Sequence, residues 1–255
     1  MNGSIALYSM IMRKLSKRRE IAEPCDKTVN DEGINGFDPD SPLQETSYVV
    51  LDTELTGLKL KKDSIVSLGA IKMKGGRIQI GDTFYRLVDP RTKLTGSSVV
   101  IHGITPSEAA ECPDIDTLLP EFLDFCKGSI LVGHFISIDM DFINAEMKRL
   151  FGHPLGNPAL DTARIYCWMN QSDSDAYACA GGMSGDLALS VLARKYGIEV
   201  SDAHNALGDA FVTAQLFQRF LSLLPRYNIR TLGDLLGIGG RENRYHQKRR
   251  WSRGR

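Results

Sequence analysis

The run Tyr48-Val49-Val50-Leu51-Asp52-Thr53-Glu54 constrains the fold of this chain more than any other stretch. Four apolar or aromatic residues without polar alternation predict a strand buried on both faces, central in its sheet. At its end stand two carboxylates two positions apart. A strand's side-chain period of two points Asp52 and Glu54 to the same side. Like charges held together beside a buried strand cost free energy unless a positive charge lies between them. Oxygen ligands favour a hard divalent cation, magnesium or manganese, for that place.

The following sequence supplies the rest of a sheet. Ser64–Met73 and Arg77–Leu87 read as two more strands joined by a hairpin turn at Gly75-Gly76, an antiparallel meander. Thr105 is placed to cap a short helix from Pro106. Ile115, Leu118, Leu119, Phe122, Leu123 and Cys126 fall at helical spacing. Two short apolar elements, at 130–133 and around Leu160, each precede a helix, one beginning near Ile138 and one running through Trp168. Leu187, Val191, Leu192 and Tyr196 mark another helix. Ala206–Leu224 marks a further one, with Phe211, Ala214, Phe217 and Leu221 as its apolar face and Pro225 as its stop. A short helix follows at Leu232–Leu236. Strands first, then alternating helices and strands, predict an α/β fold with a mixed sheet covered by helices.

The 255 residues divide by composition. Residues 13–19 carry five basic side chains, and Ile5, Tyr8, Ile11, Met12 and Leu15 share one helical face beside them. Residues 20–45 hold eight acids against Lys27, with three prolines, and read as an extended linker. Residues 1–46 are thus expected as a basic helix and acidic linker, 47–225 as the folded domain, and 226–255 as a short helix and basic tail. Charge balances overall, 31 basic against 31 acidic, yet residues 241–255 alone carry a net of +6. Residues 170–185, rich in Ser, Asp, Gly and Ala, read as a loop. Five cysteines without a CxxC pair fit a reduced, cytoplasmic protein. No stretch is long and apolar enough to span a bilayer.

Further acids and histidines lie where helices meet strand ends. Gly133-His134 closes one strand, and Asp139 lies near the start of the next helix, with Asp141 two positions on as its rival. Asp209 sits in the first turns of the helix from Ala206, with Ala206, Ala210 and Ala214 small around it, and His204 precedes it by five. His134 reads as a packing residue. Asp161 reads as a supporting acid.

The set Asp52-Thr53-Glu54, Gly133-His134 through Asp139, and His204 through Asp209 resembles the DnaQ-like 3′–5′ exonuclease family of DEDDh type. Its members include the proofreading epsilon subunits of bacterial DNA polymerase III, ribonuclease T and oligoribonucleases. Val100-Ile101-His102-Gly103-Ile104-Thr105 and Leu160-Asp161-Thr162 resemble further family segments, so the likeness covers residues 47–222. It implies a ribonuclease H-like mixed sheet, antiparallel in its first three strands and then parallel, flanked by helices. It also implies that Asp52, Glu54, Asp139 and Asp209 hold two divalent cations, Mg2+ or Mn2+, with His204 as general base. Thr53, Leu55, Thr56, Gly57, Leu58, Ile101, His102 and Phe135 are the expected substrate contacts. Phe135 stands where the family often has Asn, and Leu55 where Thr is common.

The expected reaction is hydrolysis at the 3′ end of single-stranded DNA or RNA, releasing nucleoside 5′-monophosphates. Cations about 4 Å apart would generate the nucleophile and stabilise the leaving oxygen. An exoribonuclease or short-oligonucleotide hydrolase is the alternative within the fold. A nucleic-acid-binding or polymerase-partner module without catalysis is the alternative outside it. The tail's cations and its aromatics Tyr245 and Trp251 suit phosphates and bases, or plain solvent. A proofreading role would call for a polymerase or other replication or repair protein as partner.

Overall fold

The computed structural model describes residues 37–92, 94, 96–170, 185–200 and 204–240. The expected N-terminal basic helix, most of the 170–185 loop and the basic tail lie outside these residues. Five strands form one sheet: β1 (Ser47–Leu55), β2 (Ile65–Lys74), β3 (Arg77–Leu87), β4 (Ile130–Gly133) and β5 (Ala159–Asp161), in the order β3-β2-β1-β4-β5. β1 is central. It pairs antiparallel with β2 and parallel with β4, and β5 adds in parallel beyond.

Alternation along β1 divides two cores. Tyr48 and Val50 face one layer and Val49 and Leu51 the other, all four fully buried. The first layer is built on α7 (Ala206–Leu223), with α5 (Thr162–Asn170), α6 (Leu189–Lys195) and α8 (Leu232–Gly239). The second is built on α3 (Ile115–Cys126) and α4 (Ser137–Phe151). Before them, two short helices, α1 (Gly96–His102) and α2 (Pro106–Ala110), follow the meander. The cap on α2 is the expected one: Thr105 Oγ1 accepts from the Glu108 N–H, and Glu108 reaches back to the Thr105 N–H.

α7 is held hard against the sheet. Asn205 caps it, its side chain accepting from the Gly208 N–H at 3.0 Å. Phe217 meets Tyr48 edge to face, with centroids 5.0 Å apart. At its first turn the approach is closer still. A methyl carbon added at Gly69, which pairs with Asp52 across β1 and β2, would lie 2.3 Å from the Ala206 carbonyl carbon and the Leu207 nitrogen. A glycine inside a strand marks such a close backbone approach.

Three elements differ from the sequence reading. Gly96–His102 is helical although its β-branched run gave no helical signal. Phe211 is 37% exposed, and the buried face of α7 runs instead through Ala206, Ala210, Thr213, Ala214, Phe217, Phe220 and Leu221. Residues 37–46 are packed rather than extended: Leu43 is buried, its N–H donates to the Arg230 carbonyl at 3.1 Å, and the Leu232 N–H donates to the Ser41 carbonyl at 2.9 Å. These bonds cross both expected domain boundaries.

Gly69→Ala should therefore force α7 off the sheet. We expect a loss of about 1–3 kcal/mol of stability, typical of overpacking, read as a lower denaturation midpoint in urea.

Candidate active site

The site forms where β1 ends. Asp52 and Glu54 project toward the α7 layer, and Asp209 comes down from the first turn of α7. One carboxylate oxygen from each of the three lies within 4.8 Å of the others. Gly69 makes this possible, because it lets the α7 backbone settle beside the strand position paired with Asp52.

Asp139 enters from the opposite layer. It is buried in the first turn of α4, and its Oδ1 accepts two bonds from Thr53: the backbone N–H at 3.0 Å and the hydroxyl at 2.6 Å. Thr53 points away from Asp52 and Glu54 by strand alternation, so its hydroxyl serves Asp139. The pair ties the start of α4 to β1. Asp139 nonetheless stands close enough for its charge to act on both Asp52 and Glu54.

The electrostatics follow from crowding and loss of water. Burial pushes the Asp52 carboxyl well above the usual carboxylate range, and the charges of Asp139, Glu54 and Asp209 push it further. Glu54 is raised to about 8, by burial first and then by Asp209 and Asp139. Burial lifts Asp139 to about 7 against the bonds from Thr53. Asp209 is raised by burial, opposed by the His204 N–H and the His204 charge. A group of acids that resists ionisation lacks positive charge, and a divalent cation supplies it. All-oxygen donors suit Mg2+ or Mn2+. The residues fit the ion.

His204 stands exposed just ahead of the Asn205 cap, at φ +74°, a conformation uncommon outside glycine. Its own N–H donates to Asp209 Oδ2 at 3.0 Å, which ties the histidine backbone to the acid. His102 lies near enough that its pKa is lowered, by burial and then by the His204 charge. Its Nδ1 accepts from the Ile104 N–H at 3.1 Å. Asn205 caps α7 and donates to the Tyr85 hydroxyl at 3.3 Å.

The remaining expected contacts divide by position. Phe135, at φ +56°, lies in the β4–α4 loop, where its N–H donates to Asp161 Oδ1 at 3.0 Å. Asp161 also accepts from the Ala163 N–H at 2.9 Å, so it supports the loop. His134 is locked beneath it, Nδ1 on the Thr162 hydroxyl at 2.8 Å and Nε2 on the Leu187 carbonyl at 2.7 Å. Burial lowers His134 to about 4 and keeps it neutral, as a packing residue. Leu55 packs on the second core, and Leu58 and Ile101 are half-buried. The Thr56 hydroxyl meets the Thr92 hydroxyl at 3.1 Å and accepts from the Ser64 N–H at 2.9 Å, and Gly57 follows it in the β1–β2 loop. Sequence reasoning missed Gly69, whose signal was a lone glycine between Leu68 and Ala70 inside an apolar strand.

A mixed sheet whose central strand carries two carboxylates toward a third on a packed helix is a ribonuclease H-like nuclease frame. The chain belongs to the exonuclease family: the family model described as Exonuclease matches residues 49–217. Among curated relatives, a DNA polymerase III PolC-type of Thermotoga maritima is 32% identical over 202 residues, covering 79% of this chain and 14% of its own length. A DNA polymerase III subunit epsilon-like protein of Rhodobacter capsulatus is also 32% identical, over 200 residues, covering 77% of this chain and 27% of its own. The chain thus spans a minor part of these relatives. The nuclease domain of 3′hExo, a DEDDh family member solved with rAMP, shares the fold at TM-score 0.59 and 18% identity, covering 70% of this chain and 92% of that one.

The raised carboxylates set a pH dependence. The unfolded chain loses these protons near the ordinary values of 4.5 and 3.8, whereas the metal-free folded protein keeps them to about 8 at Glu54 and about 7 at Asp139. Between those limits the unfolded state binds fewer protons, so stability falls as pH rises. The thermal midpoint of EDTA-treated protein should drop from pH 5 to pH 8. Magnesium should raise it at pH 8 far more than at pH 5.

Proposed function

We propose that this protein is a 3′–5′ exonuclease acting on single-stranded nucleic acid, DNA in preference to RNA, and releasing nucleoside 5′-monophosphates. The observation that carries the reading is the convergence of Asp52, Glu54 and Asp209 within 4.8 Å, all with raised proton affinity. These three, with Asp139, would hold two divalent cations, Mg2+ or Mn2+. Bound there, the cations would lower the pKa of an attacking water and neutralise charge on the phosphate.

The chain's own residues supply the rest. His204 takes the water's proton: it is exposed, tied by its backbone to Asp209, and its imidazole nitrogen offers a general base. Thr53 fixes Asp139, leaving Asp139 Oδ2 for a cation. Asp161 and His134 hold the loop that presents Phe135 to the terminal nucleotide. On this reading Leu58, Ile101 and His102, with Leu55, Thr56 and Gly57, are the residues that would contact the terminal nucleotide.

DNA is favoured because the relatives' names are those of DNA polymerase III proteins, and a polymerase is the natural partner for a proofreading nuclease. We read the protein as cytoplasmic, in keeping with the unbridged thiols of Cys112 and Cys126. Among the described residues no helix is long and apolar enough to cross a membrane.

The test uses 5′-labelled single strands of DNA and RNA of one sequence, with Mg2+, Mn2+ or EDTA. We expect mononucleotides released stepwise from the 3′ end, faster from DNA, and none with EDTA. His204→Ala should lower kcat by about 10²–10⁴-fold, and Asp52→Asn should abolish turnover. Undiminished hydrolysis by Asp52→Asn would refute the assignment.

A further inference from the structure

Beyond Leu55 the chain enters a loop whose charged residues the reaction above does not use. Residues 58–63 read Leu-Lys-Leu-Lys-Lys-Asp, three ammonium groups against one carboxylate. The loop is internally braced. Asp63 Oδ2 accepts from the Lys59 N–H at 2.6 Å, and the Lys59 carbonyl accepts from the Lys62 and Asp63 N–H groups at 2.7 and 2.8 Å. At its base the Thr56 N–H donates to the Ser64 carbonyl at 2.9 Å. Gly57 is pressed so near that an added methyl carbon would lie 2.7 Å from the Asp63 carboxylate.

That bracing fixes the backbone that carries the charges. Asp63 is engaged with the backbone, and Lys59, Lys61 and Lys62 all stand exposed. None of the three joins the ion pairs among the described residues, which involve Arg86, Arg91 and Arg149. Leu60, 38% exposed, adds apolar surface between them. At a maximum of about 3.5 Å per residue, the Lys59 Cα lies within roughly 18 Å of the Glu54 Cα. The loop thus projects from the strand end that bears the acids.

We propose that this loop grips the backbone of the single strand whose 3′ end lies at the carboxylates, its lysines neutralising phosphates several nucleotides from the scissile bond. The proposal rests on the nuclease reading above. An acidic centre attracts cations but repels a polyanion, so the strand needs positive charge outside it. Such contacts are screened over about 10 Å at 0.1 M salt, so the grip weakens as salt rises. Lysine ammonium groups hold phosphate as point charges and read no bases. The grip is therefore independent of sequence and grows with strand length until the loop is reached.

The test compares the full chain with a variant carrying Lys59→Gln, Lys61→Gln and Lys62→Gln, and with the corresponding triple arginine variant. Binding of a labelled single strand of about twelve nucleotides is measured by anisotropy in EDTA across a salt series. Hydrolysis of that strand and of a dinucleotide is measured in Mg2+. The glutamine variant should bind the longer strand on the order of tenfold more weakly at 0.1 M salt. Its salt slope should be shallower by about 2, at about 0.7 per phosphate. KM for the longer strand should rise while kcat and dinucleotide hydrolysis hold, and arginine should preserve binding. Unchanged affinity and slope would overturn the proposal. So would an equal loss on the dinucleotide, or a wild type that binds no strand but uses these lysines to hold an acidic protein. Lysine-dependent strand binding without hydrolysis of either substrate would support the loop while refuting the exonuclease reading, so the two failures are separable.

Discussion

Mutual repulsion among crowded carboxylates is the constraint on which the rest of the structure depends. Asp52, Glu54 and Asp209 would separate if free, yet their oxygens are held within 4.8 Å. The force that holds them is packing. β1 is buried on both faces, and α7 is pinned to it by Phe217 and by backbone contact at Gly69. A divalent cation held among these carboxylates would relieve that repulsion. A ligand bound by the native state alone stabilises it by mass action.

The two layers contribute differently. From the α7 side come the carboxylates that converge and the histidine tied to one of them. From the α4 side comes Asp139, joined to β1 by two bonds on one oxygen. One strand serves both because its period sends Asp52 and Glu54 one way and Thr53 the other. Among the described residues three non-glycines have positive φ, and two of them, Phe135 and His204, lie beside this strand end. Local backbone strain persists where surrounding bonds over-determine it, and here Asp161 and Asp209 provide those bonds.

Much of the frame was legible in the sequence. The uninterrupted Tyr48–Leu51 run marked the central strand, Gly75-Gly76 the hairpin, and Thr105 the capped helix. These signals are local, set by side-chain period and turn chemistry. Failures came where burial is decided by distant contacts. The Gly96–His102 helix carries a β-branched run that by itself favours a strand. Phe211 looks like a core residue by type, but the face of α7 that meets the sheet is chosen by its small residues, Ala206, Ala210 and Ala214. Residues 37–46 read as linker because their partners, 229–233, lie nearly two hundred positions away.

The sequence by itself determined the chemistry on offer: which carboxylates, which histidine, and the strand phase that sets Asp52 beside Glu54. The strand phase follows from a two-residue period, and the choice of Asp139, Asp209 and His204 from the family resemblance. Tertiary structure alone decided that Asp209 joins the pair, that Thr53 serves Asp139, and that the Asp63 carboxylate braces its loop while the lysines stay exposed. Each of those depends on contacts between segments whose approach is set by packing, and spacing along a chain carries no measure of that distance.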